Sequence, residues 1–395
     1  MTSRTEQTFT APVVEAFRWL AETPRPEGLP LINVSQAAPA APPPEPLRAH
    51  MAQLVMDVPA VHLYGPDLGL PALRQAIAAR FSRDYGGQIG ADQVAVTAGC
   101  NQAFCAAIAA ITDQGDEVIL PTPWYFNHKM WLDMAGITTL PLPTGDSLLP
   151  DPEAAAALIT PRTRAIVLVT PNNPGGVEYP PKLVAAFRDL ARARGLKLII
   201  DETYRDFDAR SGAAHDLFTD PDWADTVIQL YSFSKAYRLT GHRTGCLVAH
   251  QDLLPEVEKF MDTVAICAPQ LGQHAAVWGM ENLDQWLAGE RDEILARRAA
   301  LAEAFTALEP LGWKLKGLGA YFAYVEHPFA LPSDALCKAM LETAAILALP
   351  ATFFMPEGDA EADRHLRLAF ANVEAGTLKE LCTRLAALGF DRRAD

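Results

Sequence analysis

The chain is short of basic charge for its size. Its 33 Lys and Arg stand against 48 Asp and Glu, a formal net charge of −15 over 395 residues. A nucleic-acid binder needs a basic face to meet phosphates, so no nucleic-acid partner is expected. The same shortage argues against a polybasic membrane anchor. No apolar run approaches the roughly 20 residues of a membrane span, and the polar start MTSRTEQTFT has no apolar signal-peptide stretch. The expectation is a cytoplasmic protein with no membrane partner. Cys100, Cys105, Cys246, Cys267, Cys337 and Cys382 form no Cys-x-x-Cys pair, which argues against a zinc site and for reduced, mostly buried thiols. No Gly-x-Gly-x-x-Gly fingerprint is present. His62, His128 and His242 lack metal-ligand spacing, so no metal is expected and these rings are read as packing or supporting residues.

What is present is ordinary globular composition, half hydrophobic and about a fifth charged, which excludes disorder for the bulk of the chain. The length allows two or three domains. Proline is crowded between Pro39 and Pro46 (PAAPPPEP), a stretch expected to be neither helix nor central strand but an extended arm or surface loop. From about residue 70 a helical stretch (Leu70–Arg83) leads into a short strand (Val94–Thr97) and a second helix (Asn101–Ile111). Further apolar runs follow at Glu117–Leu120, Ala165–Thr170, Leu196–Ile200 and Thr226–Tyr231. Short apolar runs separated by helices predict an α/β fold, with a mainly parallel sheet covered by helices. After about residue 282 the character changes. A long helix (Asp284–Leu308), short strands (Trp313–Lys316, Tyr321–Val325, Leu366–Phe370) and two more helices (Ser333–Ile346, Leu378–Leu388) predict a smaller α+β domain. The expected division is 1–48 as an arm with part of the small domain, 49–283 as a large domain, and 284–395 as linking helix and small domain.

In an open α/β sheet, ligands bind beyond the carboxyl ends of the strands. Here the run AIVLVT ends in Pro171-Asn172-Asn173-Pro174, LKLII in Asp201-Glu202-Thr203-Tyr204, TVIQLY in Ser232-Phe233-Ser234-Lys235, and VAVT in Ala98-Gly99-Cys100-Asn101 before a helix. A helix N-terminus after glycine is an anion site. Ser232 adds a hydroxyl and Arg243 a bidentate charge, so the rim can cup a small phosphate. A lysine there can form a Schiff base with a carbonyl if burial and a neighbouring cation lower its pKa. A buried carboxylate can hold a protonated heterocyclic nitrogen. Phosphate, aldehyde and pyridinium in one ligand describe pyridoxal 5'-phosphate.

From about Leu31 to Phe390 the chain resembles the fold-type I, class I/II aminotransferases of the aspartate aminotransferase superfamily. The pieces that carry the resemblance are Tyr64-Gly65-Pro66 with Gly69 to Arg74, Thr97 to Ala103, Pro121-Thr122-Pro123 with Tyr125, and Asn173-Pro174. Asp201 to Tyr204, Ser232 to Lys235 with Gly241 to Gly245, and Leu366 to Phe370 complete the set. The resemblance implies a seven-stranded type of sheet in a large cofactor-binding domain, and a transfer of the amino group between an amino acid and a 2-oxo acid in a ping-pong cycle. It makes Lys235 the Schiff-base lysine, Asp201 the partner of the pyridine nitrogen, and Tyr204 and Asn173 the donors to the 3'-oxygen. Tyr125 would stack on the ring. Cys100 and Asn101 N–H groups, Ser232 and Arg243 would hold the phosphate, joined by Tyr64 from the neighbouring subunit of a homodimer. Arg367 would bind the substrate α-carboxylate, with Asn173 beside it.

Alternatives stay open at this point. Trp124 competes with Tyr125 as the stacking ring, and Arg364 with Arg367. Asp201 could instead cap a helix, and Tyr64 could be a core residue. A lyase of the same fold, a carbon–sulfur β-lyase or a relative of aminocyclopropane carboxylate synthase, would use the same cofactor residues. The motif Asn173-Pro174-Gly175-Gly176 replaces the family's usual Asn-Pro-Thr-Gly, and Thr263 stands where aspartate-specific members carry a second arginine.

Overall fold

The computed structural model describes residues 3–393. A two-residue strand, β1 (Ile32–Asn33), precedes the main sheet. That sheet is built from β2 (Val94–Thr97), β3 (Glu117–Thr122), β4 (Thr138–Pro143), β5 (Thr163–Val169), β6 (Lys197–Asp201), β7 (Val227–Ser232) and β8 (Gly245–Val248). Its order is β2-β8-β7-β6-β5-β3-β4. The ladders β3–β4, β3–β5, β5–β6 and β6–β7 are parallel, and β8 runs antiparallel to both of its neighbours. β2, β3 and β7 are buried along their whole length, as expected of a sheet with helices on both faces.

β4 and β8 were not among the expected strands. β4 reads TTLPLP and is mostly solvent-facing; its prolines fit an edge, where a missing N–H costs no ladder bond. β8 is only four residues long and follows the Gly-His-Arg-Thr stretch directly.

Helix ends follow local chemistry. The helix Pro71–Tyr85 opens on proline and stops at Gly86, which takes the left-handed conformation at φ 68°. The helix Asp284–Phe305 buries Leu287, Ile294, Leu301 and Phe305, a spacing that keeps one apolar face toward the core. The proline-rich segment differs from expectation. It is extended only as far as Pro44, and a helix runs over Glu45–Asp57 with Pro46 in its first turn. The first helical N–H groups have no intrahelical acceptor, so proline there loses nothing. The structure also holds an earlier helix, Pro12–Glu22, outside the expected elements.

A second sheet holds β9 (Lys314–Gly319), β10 (Phe322–Glu326), β12 (Leu349–Pro350) and β13 (His365–Ala369), all antiparallel. Between them in sequence, β11 (Ile346–Leu347) pairs in parallel with β1. That pairing returns the N-terminal segment to the C-terminal part of the chain. All six cysteines are free, with Cys105 and Cys267 half-buried and the other four buried. No helix among the described residues is long and apolar enough to cross a membrane.

Candidate active site

The carboxyl ends of β5, β6 and β7, with the turn after β2, open into a cavity of about 420 Å³. Ten of the eleven residues expected at the site line it: Cys100, Asn101, Tyr125, Asn173, Asp201, Tyr204, Ser232, Lys235, Arg243 and Arg367. The eleventh, Tyr64, lies outside this cavity and is 80% exposed, so it is not a core residue.

Asp201 ends β6 and is nearly enclosed. Its Oδ1 accepts the Thr203 N–H at 3.0 Å, and its Oδ2 lies 3.3 Å from His128 Nε2. The imidazole is held in turn by stacking on Phe104, with centroids 3.9 Å apart. Glu202, the next carboxylate, faces a different set of partners. It accepts from Tyr85 Oη at 2.6 Å and from Gln229 Nε2, and lies 3.3 Å from His215 Nε2.

Lys235 sits on the short helix Phe233–Ala236, whose N-cap is Ser232; the Ser232 hydroxyl accepts the Ser234 N–H at 3.2 Å. The Lys235 ammonium donates to the Ala37 carbonyl. Burial, together with the guanidinium charges of Arg367 and Arg243, pulls its pKa down to about 7.

Arg243 donates from Nη1 to the Thr240 carbonyl at 3.0 Å and from Nη2 to the Ala98 carbonyl at 3.4 Å. Its guanidinium lies against Gly99. A Cβ there would fall 2.1 Å from Arg243 Nη2, and the φ of +86° already favours glycine. The turn before the helix Cys100–Ile111 therefore brings free backbone N–H groups and a guanidinium to one place. Burial, and secondarily Asp201, push the Cys100 thiol up, so it stays protonated.

Arg367 lies in β13 and is 2% exposed. Nη1 donates to Asn173 Oδ1 at 3.1 Å and Nη2 to the Ser35 carbonyl, while Nε has no partner. The guanidinium stands 5.1 and 5.0 Å from the Phe322 and Phe354 ring centroids. Burial lowers its pKa to about 10, which leaves it cationic at neutral pH. Arg364 does not compete for this place; it pairs with the buried Glu326 and with the exposed Glu361. Likewise Tyr125 lines the cavity and donates to Asn101 Oδ1 at 3.2 Å, whereas the Trp124 ring is buried away from it.

This arrangement is matched by similarity along the chain. Residues 29–385 match the family described as aminotransferase class I and II. The chain belongs to this family. It is 32% identical over 328 residues to the arginine–pyruvate transaminase AruH of Pseudomonas aeruginosa, covering 82% of this chain and 81% of that one. It is 30% identical over 383 residues to the valine–pyruvate aminotransferase of Mycobacterium tuberculosis, covering 93% and 94%. In structure it resembles the aspartate aminotransferase of Thermus thermophilus solved with maleate, with a TM-score of 0.88 at 25% identity, covering 98% of this chain and 99% of the other. The fold is therefore the aspartate aminotransferase type, and the protein is an aminotransferase.

The aminotransferase also brings to its cavity residues the sequence did not point to. Val13 reaches it from the helix Pro12–Glu22 and Ala11 from just before that helix, and Gln36, Ala37 and Ala38 from the segment after β1. These lie about two hundred positions before Lys235, and no local pattern marks them. His128 carried no metal-ligand signature; its closeness to Asp201 arises because the helix Phe126–Ala135 starts directly after Tyr125. The glycine at 176 has a packing reason. Its φ is +73°, and a Cβ would fall 2.5 Å from the Phe322 carbonyl oxygen, so the turn after Asn173 meets the second sheet backbone to backbone.

Proposed function

We propose that this aminotransferase binds pyridoxal 5'-phosphate in the 420 Å³ cavity and works as a cytoplasmic homodimer on an amino acid and a 2-oxo acid. The observation that carries the reading is Lys235, an enclosed amine with a pKa of about 7, facing the same cavity as the Asp201 carboxylate and two guanidiniums. The donor set fits the cofactor. The Gly99 turn leaves a cradle that a Cβ would fill; for the substrate's carboxylate, Arg367 Nε is a buried donor without an acceptor.

Backbone N–H groups of Cys100 and Asn101, with Ser232 and Arg243, would hold the phosphate. Asp201 would hold the ring nitrogen in its protonated form, Tyr204 and Asn173 would donate to the 3'-oxygen, and Tyr125 would lie against the ring. When bound, pyridoxal 5'-phosphate supplies an aldehyde for the amino group and a cationic ring that draws electrons from the amino acid's Cα. Lys235 is the Schiff-base lysine in this reading. A pKa near neutrality leaves a large fraction of the amine unprotonated, as required to accept the Cα proton. Burial raises the Tyr204 hydroxyl pKa well above its ordinary value, so the phenol keeps its proton and can donate. Arg367 would fix the substrate by its α-carboxylate, and its contact with Asn173 sets its direction.

Tyr64 is proposed to reach the phosphate site of a second protomer. Its exposure, with Met56 at 82% and Leu63 at 66%, leaves an apolar surface suited to a second copy of the chain. We place residues 49–283 in the cofactor-binding part, 284–395 in the linking helix and small part, and 1–48 as an arm that joins the latter. The β1–β11 pairing supports that assignment of the arm.

The test is borohydride reduction of the purified, cofactor-loaded enzyme followed by peptide mapping. The expected adduct is on Lys235, and Lys235→Ala should abolish turnover while binding the cofactor non-covalently. An adduct on another lysine would overturn the assignment.

A further inference from the structure

Tyr64 stands near the head of a loop, residues 63–70, that belongs to no helix or strand. The side chain is mostly exposed. Within its own chain, its direction is therefore set by what holds the loop's backbone.

Both ends of the loop are held from one place. Beside Tyr64, the Gly65 N–H donates to Cys267 Sγ at 3.3 Å. At the far end, the Leu70 N–H donates to Gln273 Oε1 at 2.7 Å. Gln273 is fully buried, and its Nε2 donates in turn to the Ala268 carbonyl at 2.9 Å. An amide suits this place because one rigid group accepts from one segment and donates to another. Gln273 thereby ties the loop to the turn 266–269 and to the helix Gln270–Asn282 that follows it. Ile266 enters that turn at φ 62° and ψ −67°, a conformation that a β-branched residue keeps only where its surroundings impose it. Gly65 is closed in on the same side: a Cβ there would fall 1.5 Å from Gln270 Nε2.

The loop also touches its own chain's sheet. The Leu68 carbonyl accepts the Val96 N–H at 2.9 Å, and a Cβ on Gly69 would fall 2.4 Å from Val96 Cβ. Val96 lies in β2, which leads into the Gly99 turn. The loop thus meets its own phosphate cup through β2 and, in the reading of Tyr64 proposed above, the neighbour's cup through the phenol.

We infer that Gln273, with Cys267, is a positioning residue for the cofactor of the neighbouring protomer: the pair pins the two ends of the loop and so presents Tyr64 across the interface. The inference rests on the shared-site reading of Tyr64.

The test asks which protomer feels the change. Hybrid dimers are assembled from differently tagged chains, one of them carrying Lys235→Ala, so that a single site bonds the cofactor. Loss of cofactor from that site into cofactor-free buffer is followed by the absorbance of its bond to Lys235. Gln273→Met keeps the length of the side chain and removes both hydrogen bonds. It is placed first on the Lys235→Ala chain and then, in a second hybrid, on the chain with the intact lysine. The first arrangement should lose cofactor about fivefold faster or more, the worth of one hydrogen bond, and the second should change by less than about twofold. An acceleration below about twofold in the first arrangement, or an equal or larger one in the second, overturns the inference, because an effect through β2 acts on the chain that carries it. Tyr64→Phe in the same two arrangements tests the underlying reading. If it acts across the interface and Gln273→Met does not, only this inference fails; if it acts on its own chain or on neither, the shared-site reading fails and this inference with it. If Gln273→Met gives no folded dimer, Cys267→Ala is read by the same criteria and decides the question.

Discussion

His128 Nε2 lies 3.3 Å from Asp201 Oδ2, with the two side chains only 2% and 4% exposed. This is ion-pair distance without the alignment of a hydrogen bond, since Nε2 has no aligned partner. In so enclosed a place the carboxylate has little water, and its electrostatic effect on a ring nitrogen is strong. Asp201→Asn keeps the shape and removes the charge. Single-turnover transfer should slow by roughly 4–7 kcal/mol in barrier, about 10³–10⁵-fold. A rate within threefold of wild type, at full cofactor content, would place the ring's partner elsewhere. Glu202 is not the substitute, because Tyr85, His215 and Gln229 already surround it.

Replacing His128 tests positioning rather than chemistry. His128→Phe preserves a ring beside Phe104 and removes the group nearest Asp201. The expected loss is that of one buried polar contact, about 1–3 kcal/mol, or roughly 5–150-fold, in rate more than in substrate affinity. An unchanged rate would make the ring a packing residue only.

Lys235 ties stability to pH. Its pKa is about 7 in the fold against an ordinary value of 10.5. Between those values the unfolded chain binds more protons than the folded one, so this residue makes the cofactor-free protein more stable as pH rises across that window. Lys235→Met removes the term. It should raise the melting temperature of the cofactor-free protein most at or below about pH 7, with a gain that shrinks toward about pH 10. A pH-independent difference between variant and wild type would contradict the depressed pKa.

Gly99 tests the phosphate cup. In Gly99→Ala the new methyl would stand 2.1 Å from Arg243 Nη2 at a φ of +86°, so the guanidinium must move and the turn is strained. Cofactor dissociation should increase at least tenfold, read by spectral titration, with a smaller effect on melting of the cofactor-free protein. Unchanged affinity would remove Arg243 from phosphate binding.

Tyr64 tests the shared site. Tyr64→Phe should weaken cofactor retention by about 1.5–3 kcal/mol, the worth of a hydrogen bond to a charged group, and sedimentation should show a dimer for both forms. An active monomer that persists on dilution would overturn the cross-protomer role.

Much of the fold was legible because its signals are local. The strand Val94–Thr97 was read to the residue, since four apolar and β-branched positions sit between polar turns. The helix after Gly69-Leu70 was legible because Pro71 and Gly86 punctuate it. β4 and β8 were not, one because its prolines suit only an edge and the other because it opens on Gly245 and Cys246, which lack β-branched or aromatic character. The helix Glu45–Asp57 was hidden by Pro46, which is harmful in a helix interior and harmless in the first turn.

By itself the sequence determined which residues end the buried strands, and with them the chemical inventory of one rim: Asn173, Asp201, Ser232, Lys235 and the glycine turn before Cys100. Strand alternation and helix ends are set by neighbours a few positions apart, so they can be read along the chain. Tertiary structure alone decided which groups face one another. Tyr125 rather than Trp124 and Arg367 rather than Arg364 line the cavity, and His128 rather than open water stands beside Asp201. It also decided that Val13 and Ala37 line the same cavity as Lys235. Those choices depend on the packing of elements far apart in the chain, as between Arg367 and Ser35, 332 positions apart. Burial and electrostatic coupling act through space, and no local pattern encodes them.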